Sequence, residues 1–328
     1  MDSFIECVGD PRAMGHCQGL AHRAAIQANI AALGFPIRRS RLPSLFALTS
    51  GSELGGGTGR EVIRHYTHLA ERMAGIARSA DVPFSSLMKL FCTSTNGAAA
   101  KQELLASAVA VGAQQVQDIA SGPLVLRTLA GSSTEESPWI LRKSRPEVGF
   151  ASAEITLPWL ATAVAGINQA GVAVAMAPRS ESYAAGIAPG AVDVRHAPHA
   201  VLLVQECLQR FEDLAGCLDW CSKRPRSGNV SLIIADAEGR LARVEIEGFE
   251  CRIVEPDAGF AIDGASVEID RRLRNHYLER QRIDLDAMPL IGDSAGDLAV
   301  WLEPARRNLS IRSVRESGSA GKTLEVAL

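Results

Sequence analysis

The segment Ile155–Pro178, ITLPWLATAVAGINQAGVAVAMAP, contains no charged residue and decides the reading of the fold. A segment of this length is long enough to cross a bilayer as a helix. However, the dipeptide Asn168-Gln169 lies in its middle with a glycine close on either side, which is the composition of a turn. The segment therefore predicts two short buried strands joined by a hairpin, in a sheet that is covered on both faces.

Outside this segment, the hydrophobic pattern alternates between helices and strands. Apolar residues spaced by three and four predict helices at about 12–33, 62–79, 201–214 and 269–283. Short apolar runs from Ala106 onward predict antiparallel strands, and NVSLIIADAEGRLARVEIEG at Asn229–Gly248 predicts a hairpin. We therefore expect one α+β domain over residues 1–328, with sheets between helical layers, and a flexible glycine-rich insert around 42–60.

The composition is that of a globular protein with a small-molecule partner. At 47% hydrophobic and 22% charged, the chain is neither disordered nor fibrous. A formal net charge of −3 gives no basic field for nucleic acid. Seven scattered cysteines do not form a disulfide framework, and MDSFIECVGD lacks the apolar run of a secretory signal. We expect a cytoplasmic location, reduced thiols and neither a nucleic-acid nor a membrane partner.

Motifs for metals and nucleotides fail on inspection. GSAGKT at Gly318–Thr323 is similar to a phosphate-binding loop, but Glu316 stands where the first glycine is required. His65 and His68 lack the glutamate spacing of a zinc site, and the helical pair Cys217 and Cys221 has no second cysteine pair in reach. We therefore expect no cofactor and no metal.

Three sequence blocks carry a likeness to a known family. They are GDPRAMGHCQGLAHRAAIQANI near the start, GIARSADVPFSSLMKL at Gly75–Leu90 and GINQAGVAV at Gly166–Val174. Together, and in this order, they resemble the acyl-coenzyme A:6-aminopenicillanic acid acyltransferase family of N-terminal-nucleophile hydrolases. The resemblance implies a four-layer αββα sandwich that cuts itself to expose a nucleophile, whose own α-amine then acts as the base.

The same resemblance implies a nucleophile that opens a strand after the second block. Counting from the flanking blocks places this opening near Ala106 and Ser107, where no cysteine is found. Cys92, within FCTSTNG, mimics the nucleophile tripeptide, but it lies directly on the end of the helix of the GIARSADVPFSSLMKL block, where no strand pattern begins. Cys92, Ser107 and the absence of any nucleophile therefore remain three alternatives.

Several other positions implied by the resemblance carry different residues. Thr128 and Ala130 stand where an Asn and an Asp are expected, Ala175 occupies the position of the oxyanion amide, and Gly264 falls in an expected Asn-containing motif. Losing these groups together removes most of the interactions that would lower the activation barrier for hydrolysis. The pattern favours a divergent protein that binds or acts on a small acyl or amide compound without hydrolysing it.

Two further interpretations follow from the residues that are present. One is an active, self-processing amidohydrolase or N-acyltransferase that uses Cys92 or Ser107. The other is a new acid–base or anion-binding site formed by Arg127, Asp263 and Arg312, which requires these three side chains to meet in one cleft.

Overall fold

The computed structural model describes residues 4–37, 57–95, 108–114, 122–129, 138–179, 197–284, 287, 298–313 and 324–328. Eight α-helices lie within these ranges: α1 Pro11–Ala21, α2 Arg23–Ala32, α3 Gly57–His65, α4 Thr67–Ser79, α5 Phe84–Thr95, α6 Leu202–Arg210, α7 Leu214–Lys223 and α8 Val267–Arg280. None of these helices is both long and apolar enough to cross a bilayer.

The described strands form two sheets. The strands are β1 Phe4–Gly9, β2 Ala110–Ala113, β3 Leu124–Leu129, β4 Ile140–Pro146, β5 Ser152–Thr156, β6 Ala165–Asn168, β7 Ala173–Pro178, β8 Gly228–Ala235, β9 Leu241–Gly248, β10 Glu250–Val254, β11 Phe260–Asp263, β12 Leu298–Glu303, β13 Asn308–Ser313 and β14 Leu324–Ala327. The eight-stranded sheet has the order β1-β4-β5-β6-β7-β8-β9-β10, and the six-stranded sheet has the order β11-β2-β3-β12-β13-β14. Neighbouring strands are antiparallel except β1 and β4.

Alternate residues of the six-stranded sheet face two different hydrophobic clusters. Val125 and Val300 belong to the main core, which includes the residues between the sheets and also those under the outer helices. Leu126 and Trp301 belong to a second cluster that includes Tyr277 of α8. Because side chains alternate along a strand, this sheet has the other sheet on one face and α8 on the other.

The outer face of the eight-stranded sheet is covered by helices. Gln18 of α1 donates to the carbonyl oxygen of Leu160 at 2.9 Å, and Arg72 of α4 donates to the Ser144 hydroxyl of β4 at 3.0 Å. The layer order is therefore helix, sheet, sheet, helix, and the predicted α+β fold with αββα layering is confirmed.

The uncharged segment forms the predicted hairpin. Strands β6 and β7 pair antiparallel, and the Asn168 carboxamide oxygen accepts from the backbone N–H groups of Ala170 and Val172 at 3.0 and 2.9 Å. Gly171 has φ +94°, a conformation that suits glycine. Both strands are buried on both faces, as the absence of charge indicated.

Element boundaries differ from the sequence prediction in several places. The predicted helix at 12–33 is two helices that break at His22, and the one at 62–79 breaks at Tyr66. Most of the predicted insert at 42–60 lies outside the described residues, but residues 57–60 begin helix α3, so that part of the prediction is wrong. Strands β1, β12 and β13 were not predicted. In β1 and β13 a charged residue, Glu6 or Arg312, interrupts a short apolar run.

A buried ionic cluster fixes the helices of the outer layer on the eight-stranded sheet. Glu154 of β5 and Arg142 of β4 are wholly buried, and their closest side-chain atoms lie 2.5 Å apart. The Glu154 carboxylate also accepts from Ser152, Ser144 and Gln205. Burial by itself would raise the pKa of Glu154, but Arg142 and Arg72 hold that pKa below its usual value. The cluster therefore contains an ionised carboxylate between two guanidinium groups.

Candidate functional site: a cleft between the two sheets

A cleft opens between the sheets at the end where β2 begins and β11 ends. Its volume is about 220 Å³, which suits a small molecule. The lining residues are Arg179, Arg243, Glu245, Ile262, Asp263, Ala265, Val267 and Asp270. Charged groups therefore stand on both walls, the arginines on the eight-stranded sheet and Asp263 and Asp270 on the other side.

Strand β2 enters the sheet beside this cleft. The backbone N–H of Val109 donates to the Thr128 hydroxyl at 2.8 Å, which holds the start of β2 against β3. Gly264 has φ +78°, and a Cβ atom added to it would overlap the carbonyl oxygen of Ala108. The turn that ends β11 therefore packs directly on the residue after Ser107, while Ser107 itself lies outside the described residues.

A hydroxyl and a backbone amide hold the Asp263 carboxylate at this corner. The Ser231 hydroxyl of β8 donates to Asp263 Oδ2 at 2.6 Å, and the N–H of Gly264 donates to Oδ1 at 2.8 Å. Ser231 and Asp263 belong to different sheets, so their hydrogen bond joins the two walls of the cleft. A carboxylate in this position is able to accept a hydrogen bond from a ligand.

Arg127 lies on the same level of the six-stranded sheet as Asp263. Ala110 of β2 pairs with Arg127 on one side and with Asp263 on the other, which separates their Cα atoms by two strand spacings, or about 10 Å. The Arg127 side chain donates to the carbonyl oxygens of Met176 and Thr128 at 2.7 and 3.2 Å. It also lies over the Trp139 ring, with 5.2 Å from its central carbon to the ring centroid.

Arg127 is fully buried without a carboxylate among the described residues. Its Nη2 atom has no hydrogen-bond partner there. Burial lowers the pKa of Arg127 to about 9, because the charged form loses its hydration. An unpaired buried guanidinium is costly unless an anion joins it.

Three arginines surround the Glu245 carboxylate on the opposite wall. Arg179 Nη1 lies 3.2 Å from Oε2, Arg243 Nη2 lies 2.7 Å from Oε1, and Arg252 Nε donates to Oε2 at 2.9 Å. Arg243 also reaches across to the other sheet, where its Nη1 donates to the carbonyl oxygen of Ile262 at 2.8 Å. The buried Glu245 carboxylate is therefore surrounded by guanidinium groups on this wall.

Cys92 lies away from a strand opening. It belongs to helix α5 and to the main hydrophobic core, and burial raises the pKa of its thiol to about 12. The neutral thiol is a poor nucleophile, and this environment fits the interpretation of Cys92 as a small buried residue near a helix end.

The predicted site of Arg127, Asp263 and Arg312 can be followed only through the strand register. Arg127 and Asp263 share a level of the sheet, as described above. Arg312 of β13 pairs with Ala299, which pairs with Thr128, so its backbone lies one residue off the Arg127 level. Its side chain and Ala130 lie outside the described part of the chain, and convergence of all three residues remains a prediction.

Sequence reasoning missed Ser231, Arg243 and Glu245. Ser231 pairs with Glu245, and the neighbouring Ile233 pairs with Arg243, so all of these positions alternate toward the cleft. The sequence signal for these residues is the alternation of side chains along the β8–β9 hairpin. Alternation alone does not show which face of the hairpin meets water. Among the described residues, no group of His, Cys, Asp and Glu side chains is arranged to hold a metal ion.

His199 lies next to the first residues of β8 and gives a pH-dependent prediction. Burial lowers its pKa to about 4 from an ordinary 6.5, and its Nδ1 accepts from the N–H of Val201 at 3.1 Å. The unfolded chain therefore binds more protons between these values, and stability falls as the pH drops through them, by about 3 kcal/mol in total. Denaturant unfolding at several pH values should show this slope, and His199→Asn should flatten it. An unchanged slope in the variant would assign the acid sensitivity to other groups.

No family model matches this sequence, and no curated protein matches it. Solved structures with a similar fold include a variant of the conjugated bile acid hydrolase from Clostridium perfringens, at 10% identity and TM-score 0.45, over 67% of this chain and 92% of the other. The N-acylethanolamine-hydrolyzing acid amidase ortholog from Caenorhabditis elegans is 14% identical, with TM-score 0.44 and coverages of 60% and 93%. Penicillin V acylase from Agrobacterium tumefaciens is 11% identical, with TM-score 0.40 and coverages of 67% and 86%. These neighbours are enzymes of the N-terminal-nucleophile hydrolase fold.

Proposed function

We propose that the protein is a divergent member of the N-terminal-nucleophile hydrolase fold that binds or acts on a small acyl or amide compound in the cleft between its sheets. In this proposal it is a single-domain cytoplasmic protein whose partner is a small molecule rather than nucleic acid or a membrane. The resemblance to the acyl-coenzyme A:6-aminopenicillanic acid acyltransferase family belongs to the same proposal.

The observation that carries the proposal is the Asp263 carboxylate, which lines the cleft and accepts from Ser231 of the opposite sheet. On the same level of the sheet, but outside the residues that line the cleft, lies the buried guanidinium of Arg127, which has no carboxylate partner among the described residues. Evolution of a stable core removes such a charge unless it has a use, since burying an unpaired ion costs several kcal/mol. An acyl or amide carbonyl that becomes more negative, or an anionic ligand, would supply the acceptor that Nη2 lacks among the described residues. Asp263 at the same level would accept an N–H of that ligand.

Two positions that the resemblance implies for catalysis support binding more than self-processing hydrolysis. Ala175, where the oxyanion amide is expected, is a buried residue of β7 whose methyl group donates no hydrogen bond. Cys92 has a raised pKa inside a helix. The second candidate function, a self-processing amidohydrolase or acyltransferase, then depends on Ser107, which precedes the strand that opens beside the cleft.

The intact mass of the freshly purified protein under denaturing conditions separates these two functions. We expect one species of 34.9 kDa. Cleavage before Ser107 would instead give fragments of about 11 and 24 kDa, as expected for an enzyme that frees an α-amine base. Two such fragments would replace the proposed function by the hydrolase or acyltransferase. Ser107→Ala should then abolish the cleavage, whereas Cys92→Ala should leave it unchanged.

A further inference from the structure

We propose that Cys207 and Cys221 form a redox-sensitive pair, which hydrogen peroxide converts to a disulfide between helices α6 and α7. Both cysteines are free thiols in the structure. Gln205 of α6 donates to the Glu154 carboxylate, which places this helix in the layer outside the eight-stranded sheet. The pair therefore lies apart from the cleft between the sheets, and the inference does not rest on the proposed function.

The two thiols are in van der Waals contact. Cys207 and Cys221 are wholly buried, and their Sγ atoms lie 3.8 Å apart. A disulfide bond is about 2 Å long, so the sulfur atoms need to approach by only about 1.8 Å. Rotation about a Cα–Cβ bond moves a sulfur atom further than this.

A neighbouring pair of residues holds α6 and α7 in the register that the disulfide needs. Trp220 Nε1 donates to Glu206 Oε2 at 3.0 Å. Glu206 directly precedes one cysteine of the pair, and Trp220 directly precedes the other. The Trp220 ring also packs on Phe211, with 5.6 Å between the ring centroids. The helices are therefore already tied together beside the thiols, and the bond forms without a rearrangement of the chain.

Arg226 favours Cys221 as the first thiol to react. The Cys207 thiol and burial keep the pKa of Cys221 well above its ordinary value, so the resting thiol is neutral and reacts slowly. The Arg226 guanidinium acts on that pKa in the opposite direction. A third thiol, Cys217, raises the pKa of Cys207. The thiolate that attacks peroxide therefore forms at Cys221.

The oxidation removes two electrons from the pair, and hydrogen peroxide takes them up. The Cys221 thiolate attacks one peroxide oxygen, the O–O bond breaks, and a sulfenic acid forms while the released hydroxide takes up the thiol proton as water. The Cys207 sulfur then attacks the sulfenic sulfur, the S–O bond breaks, and the Cys207 proton leaves with the oxygen as a second water. Two thiols and one peroxide thus give one disulfide and two waters.

The disulfide would constrain the unfolded chain, because it joins two residues that are 14 positions apart. We expect the oxidised protein to unfold at a temperature higher by about 5 °C. Dithiothreitol should reverse this shift.

Peptide mapping tests the pairing in the full chain. The reduced protein is treated with excess hydrogen peroxide while folded, then denatured in iodoacetamide and digested with chymotrypsin. Cleavage after Trp220 separates Cys217 from Cys221, so mass spectrometry distinguishes the two possible partners of Cys207. We expect a disulfide between the Cys207 and Cys221 peptides.

Cys217→Ser is the matched control, because Cys217 is an equally buried thiol on the same helix α7. This variant should form the disulfide and show the thermal shift. Cys207→Ser should lose both, with circular dichroism of the reduced protein to verify folding. Cys221→Ser should behave in the same way and covers the case in which Cys207→Ser misfolds.

The remaining outcomes contradict the proposal. Folded wild type that keeps both thiols free in peroxide would overturn it, as would a disulfide between Cys207 and Cys217. Loss of the disulfide in Cys217→Ser would overturn the assignment of the pair. A thermal shift that persists in Cys207→Ser would assign the shift to another oxidation.

Discussion

Glu154→Gln should destabilise the protein by about 3–5 kcal/mol, the cost of breaking a buried ionic cluster by removing one partner. The change is nearly isosteric and removes only the charge. It leaves Arg142 and Arg72 as two buried guanidinium groups without the carboxylate that both of them face. The carboxamide in this variant would also offer one acceptor oxygen where the Glu154 carboxylate offers two to its neighbours.

Denaturant unfolding followed by circular dichroism measures this effect against a surface pair from the adjacent strands. Glu6 of β1 pairs with Arg145 of β4 at 3.0 Å, and both side chains are about half exposed. Glu6→Gln should therefore cost less than about 1 kcal/mol. If Glu154→Gln cost no more than Glu6→Gln, the buried cluster would not hold the outer helices in the way described above.

The second large effect has the opposite sign. Arg127→Met should raise the free energy of unfolding by about 1–3 kcal/mol, because methionine removes an unpaired buried charge and fills much of the same space. The loss of two hydrogen bonds to backbone carbonyls offsets part of the gain. The same variant should lose the stabilisation that N-butanoylglycine, a small N-acyl compound used as the probe for the cleft, gives to the wild type.

Higher stability together with lost binding would show that the buried Arg127 charge serves ligand binding and not stability. Thermal unfolding with and without N-butanoylglycine measures both stability and binding, since a ligand that binds only the folded state raises the unfolding temperature. Arg306→Met, at an exposed arginine between β12 and β13, is the control and should change neither the stability nor the binding. Lower stability of Arg127→Met with unchanged binding would instead assign Arg127 a purely structural role.

The fold could be predicted from the sequence where the hydrophobic pattern is compatible with only one kind of structure. An uncharged segment with Asn168-Gln169 in its middle had to bury two strands on both sides and turn between them, and the structure confirms this hairpin. Breaks at His22 and Tyr66 were not predictable from spacing, because the apolar period continues through both residues. The break at Tyr66 coincides with a tertiary contact: the Tyr66 hydroxyl donates to the carbonyl oxygen of Pro225, far along the chain.

The site was harder to predict from the sequence, because a polar face of a strand can lie against either solvent or a second sheet. Arg243 and Glu245 alternate with buried residues of β9 as they would on a solvated sheet face. Only the second sheet, which brings Asp263 against Ser231, turns that face into the wall of a cleft. Arg127 and Asp263 were identified through the family resemblance, and their shared level through Ala110 became visible only in the register of three strands.

The central claim is that a small acyl compound binds in the cleft between the sheets, and blocking the cleft tests it most directly. Val267 lines the cleft and is 85% exposed, so Val267→Trp fills the opening without disturbing the core. Leu278→Trp, at a 49% exposed position on the same helix, is the control. We predict that Val267→Trp weakens N-butanoylglycine binding at least about tenfold, through loss of its buried contacts, while Leu278→Trp binds like the wild type. Unchanged affinity in Val267→Trp would place the ligand elsewhere and contradict the account.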